Sequence, residues 1–85
     1  MLTDINEIIK TNALLSIYTQ KSENDSTGRP IYLGYAEPGT ATTAAKWQIR
    51  KLTYDSAGAV TDIQFASGTN DFIHVWDNRA TYSYS

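Results

Sequence analysis

The spacing of hydrophobic positions along the chain changes period once. Between Met1 and Asn12, Ile5, Ile8 and Ile9 recur at the i, i+3, i+4 spacing that lines one face of a helix. Thr3 suits the cap, Asp4 and Glu7 fall in the first turn, where carboxylates meet the positive end of the helix dipole, and Asn12 suits the stop. So short a helix is not stable alone, so its isoleucines need a dock on the domain's own sheet or on another subunit. Ile5 and Ile9 are therefore candidate interface residues.

From Ala13 onward the period is two. Leu15, Ile17 and Thr19 alternate with Leu14, Ser16 and Tyr18, which predicts a first strand over Ala13 to Thr19. The polar run Gln20 to Arg29 offers no apolar side chain for burial and reads as an exposed loop. Pro30 opens a second strand, Ile31 to Ala36, with Tyr32 and Gly34 on one face and Ile31, Leu33 and Tyr35 on the other. These two strands are expected to form a hairpin. Glu37-Pro38-Gly39-Thr40 reads as a turn, because proline supplies the negative φ of its second position and glycine the positive φ of its third. The small residues Ala41 to Ala45 suit either a helical turn capped by Thr40 or a loop lying against the sheet.

Lys46 to Phe65 carries the strongest pattern. Trp47 and Ile49 alternate with Gln48 and Arg50, the alternation resumes through Leu52 and Tyr54, and Thr61, Ile63 and Phe65 alternate with Asp62 and Gln64. Asp55-Ser56-Ala57-Gly58 predicts a type I turn with Gly58 left-handed, and the change of phase between Ile49 and Leu52 predicts a bulge. The expected core face is Trp47, Ile49, Ile63 and Phe65. Phe72, Val75 and Trp76 fit a helical turn, whereas Phe72, His74 and Trp76 fit a strand. The preferred reading is a short turn or helix ending near Arg79, then a terminal strand Thr81 to Ser85 with Tyr82 and Tyr84 on one side. The predicted fold is mainly β: a small antiparallel sheet, sandwich or barrel of about five strands with a short N-terminal helix. Residues 1–12 form the helix or docking arm and 13–85 a single β-rich domain.

Composition agrees with that reading. Eighty-five residues hold one small domain. Eleven threonines, six tyrosines and two tryptophans suit a pleated, half-buried surface. At 19% charged residues, so aromatic a chain is left with apolar area to cover, which favours a partner surface. The net charge of −2 argues against a phosphate-seeking surface, so nucleic acid is not expected as a partner. No apolar run reaches membrane-span length, and the amino terminus lacks signal-peptide features, so neither a membrane nor processing is expected. The absence of cysteine removes disulfides and thiolate metal sites and fits a reducing compartment or a particle assembled inside a cell.

Catalytic and cofactor motifs are weak. Any Ser-His-Asp proposal depends on the single histidine, His74, and no Gly-x-Ser-x-Gly turn exists to present a nucleophile. Glu23, Asn24 and Asp25 carry oxygen ligands at a spacing that does not match a calcium loop, and one histidine without cysteine is a poor start for a metal site. The acidic residues Asp62, Asp71 and Asp77 suit turns and caps better than a glycosidase cleft. Neither glycine-rich phosphate motif occurs. The run from Val60 to Phe65 followed by Asp71 to Asp77 looks like the end of a WD-repeat blade, yet a propeller needs several blades and this chain contains no repeat. No enzyme, cofactor or metal is expected.

Three stretches, Tyr32-Leu33-Gly34-Tyr35-Ala36-Glu37-Pro38-Gly39-Thr40-Ala41-Thr42, Lys46-Trp47-Gln48-Ile49-Arg50-Lys51 and Val75-Trp76-Asp77-Asn78-Arg79-Ala80, together resemble small virion-associated structural proteins of tailed bacteriophages. The resemblance covers residues 31–85, and the first thirty residues depart from it. It implies a non-enzymatic structural role in a virion, as capsid decoration, neck or tail-fibre component, assembled in the bacterial cytoplasm. The implied partners are other virion proteins and further copies of this chain. Tyr32, Tyr35, Tyr82 and Tyr84 are candidate interface residues, with Trp47, Ile49, Ile63, Phe65, Trp76 and Arg79 as structural anchors. A second reading makes the same four tyrosines stacking platforms of a module that recognises carbohydrate or a host surface.

Overall fold

The computed structural model describes residues 17–85, so the expected helix over 1–12, with Ile5 and Ile9, lies outside the described residues. The protein is mainly β. Its strands are β1 (Thr19–Asn24), β2 (Pro30–Ala36), β3 (Ala45–Tyr54), β4 (Val60–Phe65) and β5 (His74–Val75), followed by a 3-10 helix over Trp76–Thr81. They form one antiparallel sheet in the order β1-β2-β3-β4, with β5 paired to the start of β3 through Ala45 and Trp47.

The first hairpin corrects the sequence expectation. The run that reads as a loop is largely strand: β1 occupies Thr19–Asn24 and pairs with β2 from Thr19 opposite Ala36 to Asn24 opposite Pro30. An edge strand needs only backbone pairing, and its outer rim favours charged and polar side chains, so the lack of apolar residues does not forbid it. The turn is set by Asp25. Its Oδ1 accepts hydrogen bonds from Thr27 N (2.9 Å), Thr27 Oγ1 (2.7 Å) and Arg29 N (3.0 Å), while Oδ2 pairs with Arg29 Nε at 3.1 Å. Gly28 completes the turn at φ 87°, a conformation costly for a residue with a Cβ.

Asp55 repeats this chemistry between β3 and β4. Its Oδ1 accepts from Ala57 N and Ala59 N, each at 2.9 Å, and Gly58 also sits at φ 87°. Each hairpin shifts register one residue before its aspartate, at Glu23/Asn24 and at Thr53/Tyr54, as expected for a type I turn closed by a glycine bulge. The expected bulge between Ile49 and Leu52 is therefore displaced to the hairpin end. The Glu37–Thr40 turn forms as the proline and glycine predict, with Thr40 N donating to Glu37 O at 3.1 Å.

One face of the sheet holds the core. Ala36, Trp47, Ile49 and Ala66 are fully buried, Trp76 nearly so, and Tyr32, Tyr82 and Tyr84 pack against them. The Trp47 and Trp76 ring centroids lie 6.0 Å apart, and the Trp76 ring lies directly on Gly34. Trp47 Nε1 donates to Ala41 O at 2.9 Å, which draws the small-residue loop against the sheet.

Ile63 and Phe65, expected beside Trp47 and Ile49, belong to the opposite face. Leu52 lies opposite Ile63 and Arg50 opposite Phe65, and directly opposed residues share a face. Because β3 runs from Ile49 to Leu52 without a bulge, those two residues point to opposite sides. Ile63 is consequently 55% exposed. Of the expected terminal strand Thr81 to Ser85, the 3-10 helix takes Thr81, and the rest meets the end of β4 through a single bridge between Ala66 and Tyr84, flanked by backbone hydrogen bonds between Phe65 and Ser85 and from Ser67 N to Ser83 O. The His74–Val75 segment adopts the strand alternative, leaving Phe72 and Ile73 exposed.

Two outcomes test this fold. A Cβ at Gly34 would fall 2.6 Å from Trp76 Cζ3 and closer still to Cε3, so Gly34→Ala should cost about 1–3 kcal/mol in denaturant unfolding through overpacking. An unchanged midpoint would remove Trp76 from this position. The hydrogen bond from the Thr27 hydroxyl, followed by that from Arg29 N, lowers the Asp25 carboxyl from 3.8 to about 2. A lowered folded value means the turn gains stability above the ordinary carboxylate range and loses it as pH falls from about 4 through about 2. An NMR titration of the Thr27 and Arg29 amides should show a midpoint near 2 that Asp25→Asn abolishes; a midpoint near 4 would contradict the turn.

Candidate docking face

Strand pairing assembles a second surface on the side of the sheet away from Trp76. Tyr35 lies opposite Gln48, Leu33 opposite Arg50, Arg50 opposite Phe65, and Leu52 opposite Ile63. The tyrosines and Trp76 of the carboxy-terminal segment pack on the other face. Among the described residues, Leu33, Tyr35, Arg50, Leu52 and Phe65 remain half-buried and Ile63 exposed.

Arg50 sits at the centre of this face. Its guanidinium carbon lies 4.9 Å from the Tyr35 ring centroid and 5.3 Å from that of Phe65. Both rings present electron-rich faces to a weakly hydrated cation, which holds the planar group between them. Arg50 Nε donates to Gln48 Oε1 at 2.9 Å, and Gln48 Nε2 donates to Asn70 O at 2.8 Å. Gln48 is buried, so this relay fixes Arg50 from beneath. No acceptor among the described residues meets the terminal guanidinium nitrogens.

The other expected site residues are largely committed elsewhere. Tyr84 donates to Arg79 O at 2.6 Å and lies 5.6 Å from the Tyr32 ring. Burial, reinforced by Tyr32 and Tyr82, pushes its phenol well above the ordinary range. Tyr82 accepts from Val75 N at 2.9 Å and meets His74 edge-on. Of the four candidate tyrosines, only Tyr35 lies on the open face. Arg79 lies 4.6 Å over the Trp76 ring and pairs with Glu23 Oε1 at 2.7 Å, latching the 3-10 helix to β1.

His74 has one chemically suggestive neighbour. Its Nε2 lies 3.1 Å from Ser67 Oγ, and Ser67 is a non-glycine residue at φ 54°. A nucleophile–base pair also needs an orienting acid and donors for an oxyanion. Here His74 Nδ1 is buried with no partner among the described residues. The backbone N–H groups of Ser67, Gly68 and Thr69 already donate to Ser83, Phe65 and Ala66. The pair therefore reads as a brace between β5 and the turn that follows β4. Of the oxygen ligands Glu23, Asn24 and Asp25, Glu23 pairs with Arg79 and Asp25 is occupied by its own turn, and no cluster of three metal-ligating side chains occurs among the described residues.

A shallow cleft of about 360 Å³ is lined by Tyr18, Glu37, Thr40, Lys46 and Phe72, with Tyr18 stacked on Phe72 at 4.9 Å. Its two charged groups, Glu37 and Lys46, have opposite sign. Neither Arg50 nor Gln48 was singled out by residue type. Their signal was positional, because both alternate with Trp47 and Ile49 along β3. No family model, curated protein or solved structure matches this chain.

The two faces should respond differently to truncation. Ile63→Thr, which keeps the strand preference, should change unfolding free energy by no more than about 0.5 kcal/mol. Trp47→Ala should cost about 3–5 kcal/mol. Comparable losses in chemical denaturation would show that Ile63 is a core residue.

Proposed function

We propose that this chain is a non-enzymatic structural protein that binds other proteins through the open face of its sheet. The observation that carries this reading is the surface built by Leu33, Tyr35, Leu52, Ile63 and Phe65 around Arg50. It is aromatic, aliphatic and centred on an arginine, the composition that concentrates binding energy at protein interfaces. Its foundation is a hydrogen-bonded sheet, so little conformational freedom is lost when a partner docks.

The resemblance of residues 31–85 to small tailed-phage virion proteins supplies the setting: a capsid decoration, neck or tail-fibre component that touches neighbouring virion proteins and other copies of itself. A particle presents many identical sites, and repetition converts modest individual contacts into firm attachment. The carbohydrate reading is the weaker one, since Tyr32, Tyr82 and Tyr84 are packed against the core and Tyr35 is engaged with Arg50.

Purified particles of the encoding phage should contain this chain in a fixed ratio to a major structural protein, measured by quantitative mass spectrometry. The double variant Leu33→Gln/Ile63→Gln, introduced into the phage gene, should retain the circular dichroism of the parent yet be lost from particles. Undiminished incorporation of that variant would overturn the assigned face, and absence of the parent chain from particles would overturn the setting.

A further inference from the structure

We infer that the occupant of the open face is a protein segment presenting a carboxylate between apolar side chains, and that Arg50 is its anchor; this rests on the docking reading above. Tyr35 and Phe65 flank the guanidinium and Gln48 holds Nε, so among the described residues the terminal nitrogens are the unspent donors of the group. Any partner that covers Leu33, Leu52 and Ile63 also takes Arg50 out of water. A purely apolar occupant would leave a desolvated cation without an acceptor, which opposes binding. A carboxylate meets the terminal nitrogens in the charge-assisted geometry that a guanidinium favours.

The alternatives fit less well. A second copy related by a two-fold axis through this face would set Arg50 against Arg50, placing like charges together in an apolar setting. A polyphosphate backbone needs several cations in line, whereas Arg50 is the one cation that strand pairing places between Leu33 and Phe65, in a chain of net charge −2. One fixed positive charge within an aliphatic and aromatic border selects one negative charge with apolar flanks.

The test uses the full isotopically labelled chain and three capped hexapeptides that differ only in one central residue, Glu, Gln or Lys, flanked by Leu and Phe. Chemical-shift titration gives each affinity. The Glu peptide should bind about tenfold to a hundredfold more tightly than the Gln peptide, with the Lys peptide weakest and the largest shifts at Arg50, Tyr35 and Phe65. In Arg50→Gln, checked by thermal melting to be folded, the preference for Glu should vanish while residual apolar binding persists. Equal binding of Glu and Gln peptides, or a Glu preference that survives Arg50→Gln, overturns the inference. If equal binding is lost in Leu33→Gln/Ile63→Gln, the docking face stands and only its carboxylate partner falls. Failure of all three peptides to shift any residue of the face overturns the inference and the docking reading together.

Discussion

The contact on which the rest of the structure depends is the packing of the Trp76 ring onto Gly34 and against Trp47. Gly34 sits in the middle of β2 without a Cβ, and that missing atom lets an indole approach the backbone of the sheet. Two tryptophans then supply much of the apolar area that a small domain needs for a core. Their placement fixes where the carboxy-terminal segment must go. The 3-10 helix begins at Trp76, is held to β1 by Arg79 and Glu23, and delivers Tyr82 and Tyr84 beside the core. Among the described residues, the 3-10 helix and the two tyrosines after it all pack on this one side of the sheet.

Much of the fold was legible because its turns are local chemistry. Pro38-Gly39 and Asp55 with Gly58 specify their turns through fixed φ values and side-chain acceptors within a few residues. The first hairpin carried the same code, Asp25 with Gly28, but a polar run on both sides hid it. Apolar alternation detects strands that bury a face, and β1 is an edge strand held by its backbone and by the Glu23–Arg79 ion pair. Two aspartate–glycine turns of equal length were a better guide there than hydropathy.

Ile63 and Phe65 expose the second limit. Alternation establishes that two residues of one strand share a face, but it does not say which face of the neighbouring strand they meet. That choice depends on where the bulge falls, and a one-residue displacement moves every side chain to the other side. With the bulge at Thr53/Tyr54, Ile63 joins Leu52 and Phe65 joins Arg50. The same step created the candidate site. Hydrophobic residues read as core became the border of a surface, and an arginine read as its polar alternate became the centre.

The two faces are coupled through β3. Trp47 and Ile49 point into the core, while Gln48 and Arg50 between and beside them point to the opposite side of the sheet, so the pleat that locks the indole also sets the side on which the guanidinium lies. Gln48 tightens that link by reaching Asn70 in the segment that returns to β5. An arginine on a loop would lose more freedom on meeting a carboxylate, and an arginine on a bare strand would sample several rotamers in water. Here the strand, the glutamine relay and the two rings restrict it before a partner arrives. Arg50 is thereby oriented by the same strand that, three residues earlier, packs Trp47 against Trp76.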